Sequence, residues 1–176
     1  MKPHALTLAL VLAAAPVLAQ PSAGPQSPSS IPPIARELDL SGPRFGITML
    51  SDGNVQALKD RNLVVSHAIS QFGWQFEQQF YSKQGGPTVL NEWVVLAGGL
   101  DQGVVLPSIN WLVGLRTREG AEFGIGPNVT PAGVALALAG GVTIRAGMLN
   151  VPVNVAVVPA KTGTRVSILG GFTLRK

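Results

Sequence analysis

The stretch Gly133-Val134-Ala135-Leu136-Ala137-Leu138-Ala139-Gly140-Gly141-Val142-Thr143-Ile144-Arg145 decides the fold, because large aliphatic side chains alternate with small or polar ones along most of it. Successive side chains of a strand point to opposite faces. Val134, Leu136, Leu138, Val142 and Ile144 therefore share one face, and Gly133, Ala135, Ala137, Gly141, Thr143 and Arg145 share the other. The second face carries the information. A strand that turns one side to water favours long charged side chains there, whereas this side has almost no bulk and a single charge.

The same pattern continues in both directions. Val151, Val153, Val155 and Val157 oppose Asn150, Pro152, Asn154 and Ala156, and Val166, Ile168, Phe172 and Leu174 oppose Arg165, Ser167, Gly171 and Thr173. Upstream, Phe72, Trp74, Phe76 and Phe80 oppose Gln71, Gly73, Gln75, Glu77 and Gln79. Ile109, Trp111, Val113 and Leu115 oppose Ser108, Asn110, Gly114 and Arg116, and Phe123 and Ile125 oppose Glu122, Gly124 and Gly126. One stretch resists the division, since Glu92 falls on the same face as Leu90, Val94 and Leu96.

Eight strands are expected, over about Arg44–Leu50, Ile69–Tyr81, Thr88–Ala97, Ser108–Thr117, Ala121–Asn128, Gly133–Arg145, Asn150–Val158 and Thr164–Leu174, separated by Gly, Pro, Asn and Asp clusters suited to turns. Asp52 is placed to cap a short helix over Asn54–Asp60 in the first connection. The fold class that follows is all-β, an antiparallel up-and-down barrel. Alternation alone does not say which face is outside. Size does: Gly, Ala, Ser, Thr and Asn with occasional Glu or Arg suit the narrow interior of an eight-stranded barrel, and the apolar face then lies outside. On this reading Glu77, Arg116, Glu122, Arg145 and Arg165 form an interior polar network, because buried charges need partners. Phe72, Trp74, Phe76, Trp111, Leu136 and Leu138 face lipid.

The bulk numbers agree. Only 12% of the 176 residues are charged, against about 25% in typical soluble domains, so little charge is left to cover a watery exterior. Thirteen basic and nine acidic residues form no stripe, which makes nucleic acid an unsuitable partner. Cysteine is absent, which excludes thiol catalysis and thiolate metal sites. At the N-terminus, Lys2 and His4 precede an apolar run over Ala5–Ala15, and Val17-Leu18-Ala19 offers a signal-peptidase site. Met1–Ala19 is read as a cleaved signal peptide, residues 20–40 as a flexible Pro/Ser-rich leader, and residues 41–176 as the barrel domain. Export followed by an apolar exterior points to the bacterial outer membrane, with its lipid as partner; the periplasm is the alternative location.

With the signal, the strand count and the outward apolar face in place, the chain resembles the small eight-stranded outer-membrane β-barrel proteins over about Ser41–Lys176. The resemblance is architectural and implies both chain termini on the periplasmic side. Tyr81 is the only tyrosine and the chain ends on Lys176 rather than an aromatic residue, which differs from that pattern.

No residue set declares a chemistry, and no catalytic, cofactor-binding or metal-binding residues are assigned. His67, the one histidine after the signal, lies between Ser66 and Ser70, but adjacent residues of a strand face opposite ways, a poor arrangement for a nucleophile and its base. Three roles remain: a filled outer-membrane barrel with a structural or interaction role, a soluble periplasmic barrel holding a small apolar ligand, and a membrane-embedded lipid-modifying enzyme. The protein partner stays unassigned.

Overall fold

A computed structural model describes residues 39–82 and 86–174. The signal and nearly all of the leader lie outside the described residues, as do Lys83, Gln84 and Gly85 of one turn. The chain runs β1 (Gly42–Leu50), α1 (Asp52–Lys59), β2 (Ala68–Ser82), β3 (Thr88–Gly98), a 3-10 turn (Leu100–Gln102), β4 (Leu106–Arg116), β5 (Ala121–Thr130), β6 (Gly133–Ala146), β7 (Leu149–Ala160), β8 (Gly163–Gly171) and β9 (Thr173–Leu174). Each of β1 to β7 pairs antiparallel with the next, and β8 returns to pair with β1, so the sheet closes into an eight-stranded barrel without free edges.

β9 continues β8 against β7 in the same register, with Val153 opposite Gly170 and Asn150 opposite Thr173. The pairing lapses at Val151 and Pro152, and Pro152 has no N–H to give the ladder. Sequence reading puts Pro152 near a strand start; it sits fourth in β7, fully buried on the inner side.

Closure explains the division of faces. Phe45, Ile47, Phe72, Trp74, Phe76, Trp111, Leu136, Leu138 and Ile168 all point outward and are roughly half exposed. Trp93 and Trp111 stack on the outer wall with ring centroids 5.7 Å apart and 13° between planes. The Trp111 indole donates to Asn91 Oδ1 at 2.5 Å, and Asn91 donates in turn to Gln78. Inward residues fill the lumen in layers. Near the end where β1 begins and β8 finishes, the filling is charged. At mid-height Val94, Leu96 and Leu169 form one apolar cluster, and Leu112, Ala137 and Val158 another. At the opposite end Leu50, Leu58, Val65, Ile69 and Leu106 pack α1 over the barrel mouth.

The lumen is thus less uniformly small and polar than the alternation suggests. Leu90, Glu92, Val94 and Leu96 of β3 all face inward, which resolves the mixed face of that strand. Phe80 is the extra residue of a bulge where the β2–β3 register shifts between Gln79 and Tyr81, so Tyr81 joins the outer face. The helix begins at Asp52, with Ser51 as N-cap. Asp52 does not cap it, because its carboxylate turns to His67. Leu40, at the end of the expected leader, is fully buried, and its carbonyl accepts from Arg44 Nη2 at 2.7 Å.

Gly126 shows how tightly the wall is built. A Cβ there would lie 1.8 Å from the Trp111 carbonyl oxygen, a backbone atom that cannot step aside. Gly126→Val is expected to destabilise the barrel by about 1–3 kcal/mol or prevent closure. Thermal unfolding of the purified variant, read by far-UV circular dichroism, checks it.

Candidate functional site in the barrel interior

Seven charged residues lie on the described strands, and all have inward parity: Arg44, Glu77, Glu92, Arg116, Glu122, Arg145 and Arg165. Six of them are buried in the lumen, three arginines and three glutamates. Arg116 is the hub near the end where β1 begins. Its Nε donates to Glu122 Oε1 at 2.8 Å and its Nη1 to Glu77 Oε1 at 2.8 Å, with a second, closer contact from Nη2 to Glu77 Oε2. Thr143 donates to Glu122. Arg44 joins through an amide relay, donating from Nε to Gln75 Oε1 at 3.0 Å, while Gln75 donates to Glu92 Oε1 at 2.9 Å. Buried charge requires this kind of mutual satisfaction.

Glu77, Arg116 and Glu122, expected as one interior network, are brought together. Arg165 is inward and buried, but further along the barrel, where Nη2 donates to Asn128 Oδ1 at 2.7 Å and Nη1 to Thr130 Oγ1 at 3.2 Å. Arg145 corrects that expectation: it is exposed and meets none of the others, because β6 runs on past Thr143 to the rim and carries it out of the lumen. Arg44, Gln75 and Glu92 were missed. The signal for Arg44 was present, since it alternates with Phe45, Ile47 and Met49; Glu92 was hidden among apolar inward neighbours.

Between the charged layer and the roof lies a cavity of about 90 Å³. Arg165, Asn128, Ser108 and Asn110 line its polar wall, and Leu112, Ala137, Val158 and Leu169 an apolar one. Asn54 and Leu58 of α1 reach it from above. Asn54 is wholly buried, donating to the Ser51 hydroxyl and the Thr164 carbonyl and accepting from Thr162, which ties α1 to the β7–β8 turn.

The polar groups outside the barrel mouth form local contacts. His67 Nε2 lies 2.7 Å from Asp52 Oδ1 on the surface. The Ser66 hydroxyl donates to the Ala68 carbonyl and that of Ser70 to Asp101. Hydrogen bonds from Ser70 and Gln102 hold the Asp101 carboxyl below the usual carboxylate range. Neither flanking serine is bonded to the imidazole, so a histidine–carboxylate pair stands there without a hydrogen-bonded hydroxyl nucleophile.

No helix among the described residues is long and apolar enough to cross a membrane, which leaves crossing by strands untouched. Comparison of the chain with protein-family models, curated proteins and solved structures gives no match. The class the fold defines is a closed eight-stranded antiparallel β-barrel with a roofed, largely filled lumen.

Proposed function

We propose that this is an exported barrel of the bacterial outer membrane, with a structural or interaction role rather than a pore. One observation carries the reading: among the described strand residues, no Asp, Glu, Lys or Arg has outward parity, Arg145 being exposed only at the rim, while aromatic and aliphatic side chains cover the outer wall. A monomer in water rarely exposes a contiguous apolar patch larger than a few hundred Å². A bilayer demands such a belt, with the polar groups turned to the lumen. The connections support the same orientation. The first connection, between Leu50 and Ala68, holds α1, and the third, between Gly98 and Leu106, holds the 3-10 turn. Both are at the end opposite the start of β1, where outer-membrane barrels carry their longer loops. The interior favours a filled barrel, since charged and apolar side chains occupy the lumen and α1 packs over one mouth. The N-terminal stretch Met1–Ala19, read as a signal peptide, supplies the export step.

A soluble barrel is the second reading, and the internal cavity favours it. Cell fractionation separates the two. The full chain is expected in the membrane fraction, released by detergent but not by high salt or carbonate, and to migrate faster on a denaturing gel when unheated. Recovery in the aqueous fraction without detergent overturns the membrane reading.

A further inference from the structure

We infer that the cavity is a binding site for a short amphiphilic carboxylate, with the acid group on Arg165 and the alkyl chain running down the apolar wall toward Leu112. The site lies inside the barrel and does not depend on which solvent meets the outer face.

Arg165 differs from the other buried arginines. Arg116 has two carboxylates and Arg44 reaches Glu92 through Gln75. Arg165 is 6% exposed, yet among the described residues no carboxylate lies within 4 Å of it, and only two neutral oxygens accept from it. A guanidinium has five N–H donors, so most of this fork remains for a ligand. A buried cation without a counter-charge is costly, and an anion in the adjoining space removes that cost.

The geometry around the fork narrows the ligand. Arg44 and Glu92 also line the cavity, but they are linked to each other through Gln75; the guanidinium left without a carboxylate is that of Arg165, which matches a monoanion, and its planar fork matches a carboxylate. Asn128 is held in place by donating to Ser108 and Asn110, so its Oδ1 is fixed against Arg165 and positions the guanidinium. Val158 is the register partner of Arg165, and Val158, Ala137 and Leu112 form one continuous apolar cluster leading away from it. At ~15 Å³ per water, the cavity of about 90 Å³ holds several heavy atoms, enough for a carboxylate with a few methylenes but not for a long acyl chain.

Butanoate is the probe. Titrated calorimetrically into the full chain in a neutral detergent, sodium butanoate is expected to show saturable one-site binding, weakened by about tenfold or more in Arg165→Gln. Butan-1-ol, which keeps the chain and lacks the charge, is expected to show no saturable binding. In the unaltered protein, butanoate is expected to shift the Asn128 side-chain amide resonances, a readout that stands even if Arg165→Gln does not fold. The inference is overturned if the unaltered protein gives neither saturable heat nor an Asn128 shift, or if Arg165→Gln binds butanoate as well as the unaltered protein. Sulfate displacing butanoate at equal concentration also overturns it, by showing an anion site indifferent to the alkyl chain.

Discussion

Leu138→Arg is expected to destabilise the barrel in lipid by about 2–4 kcal/mol, the cost of a lipid-facing cation near the bilayer midplane. Leu138 is near the middle of β6, opposite Ile125 on one side and Val157 on the other, and is 47% exposed. In water the same change would be a surface substitution, within about 0.5 kcal/mol either way. Its neighbour Ala137 provides the opposite case. It faces the lumen at 1% exposure, packed with Leu112 and Val158, so Ala137→Arg is expected to prevent folding in any solvent. Urea unfolding of each variant in phospholipid vesicles measures both, and tolerance at Leu138 with intolerance at Ala137 would place water on the outer face.

Arg116→Met is expected to cost about 3–5 kcal/mol, because it leaves Glu77 and Glu122 buried without their shared cation. The cost is for the orphaned charges more than for the lost contact. Combining Arg116→Met with Glu77→Gln and Glu122→Gln is therefore expected to recover much of the loss, as neutral replacement of buried ion networks often does. Chemical unfolding of the single and triple variants under one set of conditions provides the comparison. A triple variant no more stable than Arg116→Met would show that the cluster acts by packing rather than by charge.

The barrel was legible in the sequence because its two faces differ in bulk as well as polarity. Alternating Leu and Ala in β6, or Val and small residues in β7, leave one arrangement in which the narrow side is enclosed. The strands were recovered within a few residues, and the first connection was seen to hold a helix. β3 was not divisible, because the lumen it faces is apolar as well as charged and places Leu90, Val94 and Leu96 on the same side as Glu92. The grouping of Glu77, Arg116 and Glu122 followed from parity, but parity does not give height along the axis. Arg165 and Arg145 share the inward parity and lie at opposite ends, one buried beneath the roof and the other at the rim. The roof itself depends on contacts between α1 and strands distant in sequence, which no local pattern encodes.

All three tryptophans of the chain, Trp74, Trp93 and Trp111, sit on the outer wall at 43–46% exposure. Their fluorescence in vesicles of lipids brominated along the acyl chain therefore tests directly what the outer face touches. Strong quenching relative to unbrominated vesicles, greatest with bromines placed deep in the chain, is the result expected of a membrane-spanning barrel. Emission unchanged by bromination, with the protein recovered free of the vesicles, would contradict it.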